Sequence, residues 1–171
     1  GEGESAIIGH IRNGFLGNKN IICKGQNYPT EFFPLADLNK LPFPNRDVVY
    51  KRDPVLRHNP SKQFISGRGC PYACTYCHNH VFNKIFKEYG SIVRKKSVDY
   101  ILEEIKEVRE RYELKLVVFQ DDTFIVDRVW FNEFAERFPK EIGLPYTCNI
   151  RANLITEEVV QLLKESKCIA A

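Results

Sequence analysis

The 171 residues include no methionine, one tryptophan and four histidines. The first residue is glycine, so the chain is expected to be a piece of a longer protein. Without methionine, a thioether cannot serve as a second axial ligand to haem iron. No apolar run approaches the roughly 18 residues that a membrane helix needs, and no basic-then-apolar export signal stands at the N-terminus. A strong charge of either sign is also missing. The 25 lysines and arginines are scattered among 22 acids for a net charge of +3, which gives no support to nucleic-acid binding. What remains is 43% hydrophobic and 27% charged residues, the balance of a globular protein with a core. Six cysteines, three of them crowded within eight positions, point to a reducing compartment where thiols hold metals, and the cytoplasm is the expected location.

The first stretch opens on "GEGES" and then shows a short helical pattern that places Ile7, Ile8 and Ile11 on one face and ends at Asn13-Gly14. From Thr30 to Pro60 the prolines recur and regular structure is not expected. This stretch reads as an extended connector that packs Phe32, Phe33, Leu35, Leu38, Leu41 and Phe43 against a neighbouring domain, with a boundary near residue 60.

Beyond that boundary, strand and helix patterns alternate. A short strand from Phe64 to Ser66 delivers the cysteines. Ser97 caps a helix running to about Tyr112, with Ile101, Ile105, Val108 and Tyr112 on one stripe. "LKLVVFQ" has the continuous apolar character of a strand buried on both sheet faces and stops at Asp121-Asp122. Asp127 caps a helix striped with Trp130, Phe131, Phe134 and Phe138, and Pro139 is the expected stop. "YTCNI" follows as a strand. Thr156 then opens a helix turning Val159, Val160, Leu163 and Leu162 inward, and "CIAA" begins another strand. Repeats of this kind imply an α/β fold with a parallel sheet and right-handed crossovers, either doubly wound or a barrel. In both, functional groups gather at the C-terminal strand ends: the cysteine loop, Asp121 with Asp122, and Asn149 to Asn153.

Three ligand systems draw on "GRGCPYACTYCHNH". Cys74 to His78 matches the C-x-x-C-H haem attachment pattern, which leaves Cys70 without a role. Zinc takes four tetrahedral ligands, usually as two separated pairs, but Cys23, Cys148 and Cys168 are single in apolar or strand-like surroundings, so His78 or His80 would have to complete the site. An iron–sulfur cluster draws several thiolates from one loop. A four-iron cluster on Cys70, Cys74 and Cys77 has one iron left open. Gly67, Gly69 and Ala73 leave backbone room, and Tyr72 and Tyr76 are placed to exclude water.

"SGRGCPYACTYCHN" resembles the C-x3-C-x2-C motif of the radical S-adenosylmethionine (radical SAM) superfamily. "LADLNKLPFPNRD", "FQDDTF" and "CNIRAN" resemble the members that carry an N-terminal cobalamin-binding domain. The resemblance implies a partial TIM-like (β/α) barrel of three units and the start of a fourth in residues 61–171. Residues 29–60 would be the connector, and residues 1–28 the remnant of a cobalamin-binding-type domain. It implies a 4Fe-4S cluster on Cys70, Cys74 and Cys77, S-adenosylmethionine cleaved reductively to start radical chemistry on a small-molecule substrate, and cobalamin bound mostly outside this chain. Methylation or cyclisation are the implied outcomes. A reductant such as flavodoxin or ferredoxin is the implied partner. Tyr76 matches an aromatic position near the adenine, and Asp121 with Asp122 follow the second strand, where the resemblance implies groups that hold the amino group of S-adenosylmethionine; Arg151, after the third strand, is placed to meet a carboxylate bidentately. The chain alone is expected to be inactive. The alternative is a non-catalytic iron–sulfur electron carrier or zinc protein.

Overall fold

Side-chain caps and a run of aromatics decide where this chain becomes regular. The computed structural model describes residues 2–12, 19–21, 24–25 and 31–171. In chain order it contains helices α1 (Glu4–Arg12), α2 (Asp47–Tyr50) and α3 (Pro54–His58), strands β1 (Ser61–Phe64) and β2 (Gly67–Arg68), and helix α4 (Asn79–Phe86). Strand β3 (Arg94–Lys95), helix α5 (Val98–Arg111), strand β4 (Leu116–Phe119) and helix α6 (Arg128–Glu141) follow. The last elements are strand β5 (Tyr146–Thr147), helix α7 (Glu157–Glu165) and strand β6 (Cys168–Ala170). The chain divides into two units, one of Gly1–Leu41 with Gly69–Arg94 and one of Pro42–Arg68 with Lys95–Ala171.

The second unit is an α/β layer structure. Its four-stranded sheet has the order β1-β4-β5-β6, and every pair is parallel. Parallel neighbours need long connections, and each of the three helices that make them starts at a polar cap. Ser97 accepts from Tyr100 N, Asp127 from Trp130 N and Thr156 from Val159 N, satisfying amides that the first helical turn leaves without partners. The 3.6-residue period then presents Ile101, Leu102, Ile105 and Val108 of α5, and Trp130, Phe131, Phe134 and Phe138 of α6, to the same core as Phe64, Val117, Phe119 and Tyr146 of the sheet. Phe134 is the hub. Its ring stacks on Trp130 at 5.2 Å and meets Phe119 edge-on at 5.5 Å and Tyr146 edge-on at 5.5 Å. Each fully buried ring of this kind contributes about 1.5–3 kcal/mol by leaving water.

Several boundaries differ from the sequence expectation. Strand β1 begins at Ser61 and ends at Phe64, because Gln120 N donates to Phe64 O at the end of the β1–β4 pairing and Ser66 N then turns to the Asp121 carboxylate. The strand expected over "YTCNI" stops at Thr147: the pairing with β6 slips there, and Asn149 O is drawn away to accept from Phe124 N. Strand β4 has Val117 and Phe119 buried and its other face half-buried. Pro139 does not end α6. It lies inside the helix, and the stop comes at Gly143, whose φ of +70° lets its amide return to Phe138 O. Val160 is 52% exposed, whereas Val159 and Leu163 carry the buried face of α7.

The proline-rich stretch also contains helix. Asp53 accepts from Leu56 N and Pro54 occupies the first turn, where its missing N–H is no loss. Phe43 packs edge-on against Tyr100 within the second unit, and Phe32 packs against Phe86 and Tyr89 within the first. Helix α1 forms as expected, but Ile7, Ile8 and Ile11 are exposed and Ala6 is its buried residue. Its expected end at Asn13-Gly14 lies outside the described residues.

Candidate cofactor site

The cysteine loop belongs to the first unit, and backbone geometry holds it at several points. Gly69 has φ +86°, and a Cβ there would lie 2.0 Å from the Ile92 carbonyl oxygen, so the position admits glycine alone. Immediately after it, Cys70 O accepts from Asn83 Nδ2 at 2.9 Å. Cys77 N donates to Cys74 O at 3.0 Å, closing a turn that sets the second and third cysteines three residues apart across one bend. His80 Nδ1 lies 2.5 Å from Cys77 O; since a carbonyl only accepts, Nδ1 carries the proton.

Helix α4 supplies both of those side chains and was not anticipated from the sequence. The signal was present in Phe82 and Phe86, four residues apart. Their rings stack at 4.5 Å, and Phe86 packs on Phe32 at 4.9 Å. The helix's other face, His80, Asn83, Lys84 and Lys87, borders a cavity of about 620 Å³ that Pro71, Ala73, Thr75 and Ile92 also line. His78, exposed, stands at the start of this helix, where its carbonyl accepts from Val81 N and Phe82 N.

A bidentate ion pair also holds the first unit. Arg94 grips Glu2 with two nitrogens, at 2.6 and 2.9 Å, and also donates to Ala36 O at 2.8 Å, while Glu2 accepts from Ala36 N. Glu2 of the "GEGES" stretch thereby ties the start of the chain to the segment that follows the cysteine loop.

Cys70, Cys74 and Cys77 are half-buried thiols, and none is in a disulfide. Three thiols on one loop of irregular backbone are a soft donor set of the kind that holds an iron–sulfur cluster. Among the described residues no three His, Cys, Asp or Glu side chains stand converged as a metal site, so the fit rests on donor chemistry and loop anchoring. Asn83 Oδ1 is buried beside this loop without a partner. Tyr76 is 93% exposed and Tyr72 half-buried. Cys23 lies outside the described residues.

Asp121, Asp122 and Arg151 belong to the second unit, past the C-terminal ends of β4 and β5. Asp121 is 3% exposed. One carboxylate oxygen accepts from Ser66 N at 2.9 Å, and the other accepts from Ser66 Oγ at 2.7 Å and Lys95 Nζ at 3.0 Å. Lys95 also donates to Ser66 Oγ at 2.9 Å and lies over the rings of Trp130 at 4.4 Å and Phe124 at 4.9 Å. Burial lowers its amine pKa, and the Asp121 carboxylate pulls the other way. Asn149 Nδ2 donates to Asp121 O at 3.2 Å. Ser66, Lys95 and Asn149 were not among the expected site residues: Lys95 sits in an unremarkable basic run, "RKK", and Ser66 is 55 positions from its partner. Asp122 and Arg151 are exposed, and Arg151 immediately precedes a single 3-10 turn, Ala152–Leu154.

Over 139 residues the chain is 27% identical to an uncharacterised methyltransferase of Pyrococcus horikoshii, covering 78% of this chain and 28% of that protein. It is 27% identical to cytidylyl-2-hydroxyethylphosphonate methyltransferase of Streptomyces wedmorensis, covering 77% of this chain and 25% of that protein. With bacteriochlorophyllide d C-12(1)-methyltransferase of Chlorobaculum tepidum it shares 29% identity, over 61% of this chain and 22% of that protein. The chain thus spans about a quarter of the length of these relatives. Among solved structures, the radical S-adenosylmethionine methyltransferase TsrM from Kitasatospora setae, with cobalamin and a [4Fe-4S] cluster bound, matches with a TM-score of 0.47 and 16% identity over 62% of this chain and 19% of that one. The sequence pattern of one family extends over residues 64–170, from the end of β1 through β6, and the chain belongs to that family, the radical SAM superfamily.

Proposed function

We propose that Cys70, Cys74 and Cys77 hold a 4Fe-4S cluster and that the chain is the N-terminal part of a radical SAM methyltransferase barrel. The observation that carries this reading is three half-buried thiols on one loop, anchored by Gly69, Asn83 and His80, in a chain of this family. Held by these three cysteines, the cluster would supply the electron for reductive cleavage of S-adenosylmethionine. The chain's own residues position and shield. Asn83 and His80 fix the carbonyls of Cys70 and Cys77, so the first and last thiols leave the backbone in set directions. In the second unit, the exposed Asp122 and Arg151 are a carboxylate and a guanidinium suited to the amino-acid end of the cosubstrate, and Asp121 holds the sheet rim beside Asp122; in the first unit, the exposed Tyr76 is an aromatic face suited to its nucleoside end. Methyl transfer follows the relatives, which are named as methyltransferases and whose family does not favour the electron-carrier or zinc alternative. Cobalamin use, with residues 1–28 as a domain remnant and residues 29–60 as connector, follows the resemblance of "GEGES" and the proline-rich stretch. A flavodoxin or ferredoxin is the reductant class this chemistry needs. Among the described residues no helix is long and apolar enough to cross a membrane.

The test is anaerobic reconstitution with iron and sulfide. Four irons and four sulfides per chain are expected. Cys70→Ala, Cys74→Ala or Cys77→Ala should each remove most of the bound iron, whereas Cys148→Ala and Cys168→Ala should not. Stoichiometric zinc in place of iron, or full loading of a loop variant, would overturn the proposal.

A further inference from the structure

The cavity bordered by α4 is built from groups that the cysteine loop does not use for its thiols. Pro71, Ala73 and Ile92 give it apolar walls, and α4 adds Asn83, Lys84 and Lys87. Among the described residues that line it there is no carboxylate and none of the three loop cysteines. Its volume of about 620 Å³ is that of a small-molecule site. Lys84 and Lys87 stand three residues apart on one helix face, close enough for their ammonium groups to serve a single anion. Both are exposed, and among the described residues neither is in an ion pair. Asn83 spends Nδ2 on Cys70 O, and its Oδ1 is buried without a donor. Apolar walls, two unneutralised cations and an acceptor that lacks a donor are complementary to one kind of molecule.

We propose that this cavity binds a small amphipathic organic anion. Its flat aromatic or acyl body lies against Pro71, Ala73 and Ile92, its carboxylate, phosphate or sulfonate group meets Lys84 and Lys87, and an N–H or O–H stands beside Asn83. The site is distinct from the proposed cluster and does not depend on it. An inorganic anion lacks the body and a neutral aromatic lacks the charge, so neither satisfies both halves. Lysine suits the role, as a compact charge on a flexible stem that follows anions of different shape.

The probe is 8-anilinonaphthalene-1-sulfonate, which carries one sulfonate, two aromatic groups and one N–H. It is titrated into the 15N-labelled 171-residue chain, without iron, and followed by amide chemical shifts. Saturable one-to-one binding is expected, with the shifts gathered at Ala73, Thr75, Asn83, Lys84, Lys87 and Ile92. Lys84→Glu with Lys87→Glu should weaken binding about tenfold or more, the factor that a hydrogen bond to a charged group is worth. The same change of charge made elsewhere, Lys140→Glu with Lys164→Glu, should leave it unchanged. Ala73→Trp, which fills the cavity from an exposed position, should abolish binding while the spectrum stays dispersed. N-phenyl-1-naphthylamine, without the sulfonate, and inorganic sulfate, without the body, should each bind at least about tenfold more weakly. Absence of binding, shifts centred away from the cavity, equal weakening by the two double variants, or full affinity in Lys84→Glu with Lys87→Glu overturns the site.

Discussion

The two units of this chain are held by different physics. In the second unit 21 buried apolar residues form one continuous cluster, whereas Ala6, Leu38 and Phe86 are the buried apolar residues among those described in the first. The sheet unit takes its order from water exclusion, which is non-directional and tolerates small shifts at any one contact. The cysteine-bearing unit relies on directional contacts: a glycine packed onto a carbonyl, two side chains fixing cysteine carbonyls, and one bidentate arginine clamp. A loop proposed to present three thiols to an inorganic cluster gains from being set by a few directional contacts, and it has little apolar surface with which to be set otherwise.

The largest predicted effect falls on the core. Phe134→Ala removes the hub of the aromatic cluster and is expected to cost about 3–5 kcal/mol, read as a lowered urea midpoint by far-ultraviolet circular dichroism. A loss below about 1 kcal/mol would mean that the sheet unit does not stand on its apolar core.

Next is the buried ion pair at the rim. Asp121→Asn keeps a group able to bond Ser66 but removes the charge opposite Lys95, whose side chain is 8% exposed. A cost of about 2–3 kcal/mol is expected, capped because the amine can shed its proton rather than stay charged and unpaired. Adding Lys95→Met should recover much of it. If the double variant is no better than Asp121→Asn alone, charge pairing is not what holds the rim.

Gly69→Ala sharpens the contrast from the other side. Its Cβ would meet the Ile92 carbonyl, and the positive φ adds strain, together about 1–3 kcal/mol concentrated in the loop. Iron loading should therefore fall while the urea transition of the sheet unit stays in place. Unchanged loading would show that the loop's backbone position is not critical to cluster uptake.

The smallest effect is a pH dependence. Burial lowers the Lys95 pKa below its ordinary 10.5. Between that lowered value and 10.5 the unfolded chain carries a proton that the folded chain does not, so this group's contribution to stability rises with pH across that window. Unfolding free energies of the unsubstituted chain minus those of Lys95→Met, measured up to pH 10.5, should increase with pH. A falling difference would reverse the sign assigned to burial.

What was legible in the sequence was local. Ser97, Asp127 and Thr156 cap the helices they precede because a cap needs only its own next three residues, and the stripes of α5 and α6 follow from the 3.6-residue period. The three cysteines were legible for the same reason: their spacing lies within one loop. Pro139 and Val160 were misread because helix ends and the edges of a buried face depend on what lies opposite, and neither residue carries that information itself.

Sequence alone therefore determined the alternation of strand and helix, the capped starts and the close spacing of Cys70, Cys74 and Cys77, all consequences of chain geometry over a few residues. Only the tertiary structure decided that Ser66 and Lys95 would clasp Asp121 and that Glu2 would answer Arg94. These partners are brought together by strand pairing and by chain segments folding back on one another. Which distant residues then meet depends on strand order and register, which are set by the packing of the whole sheet and its helices rather than by any one segment.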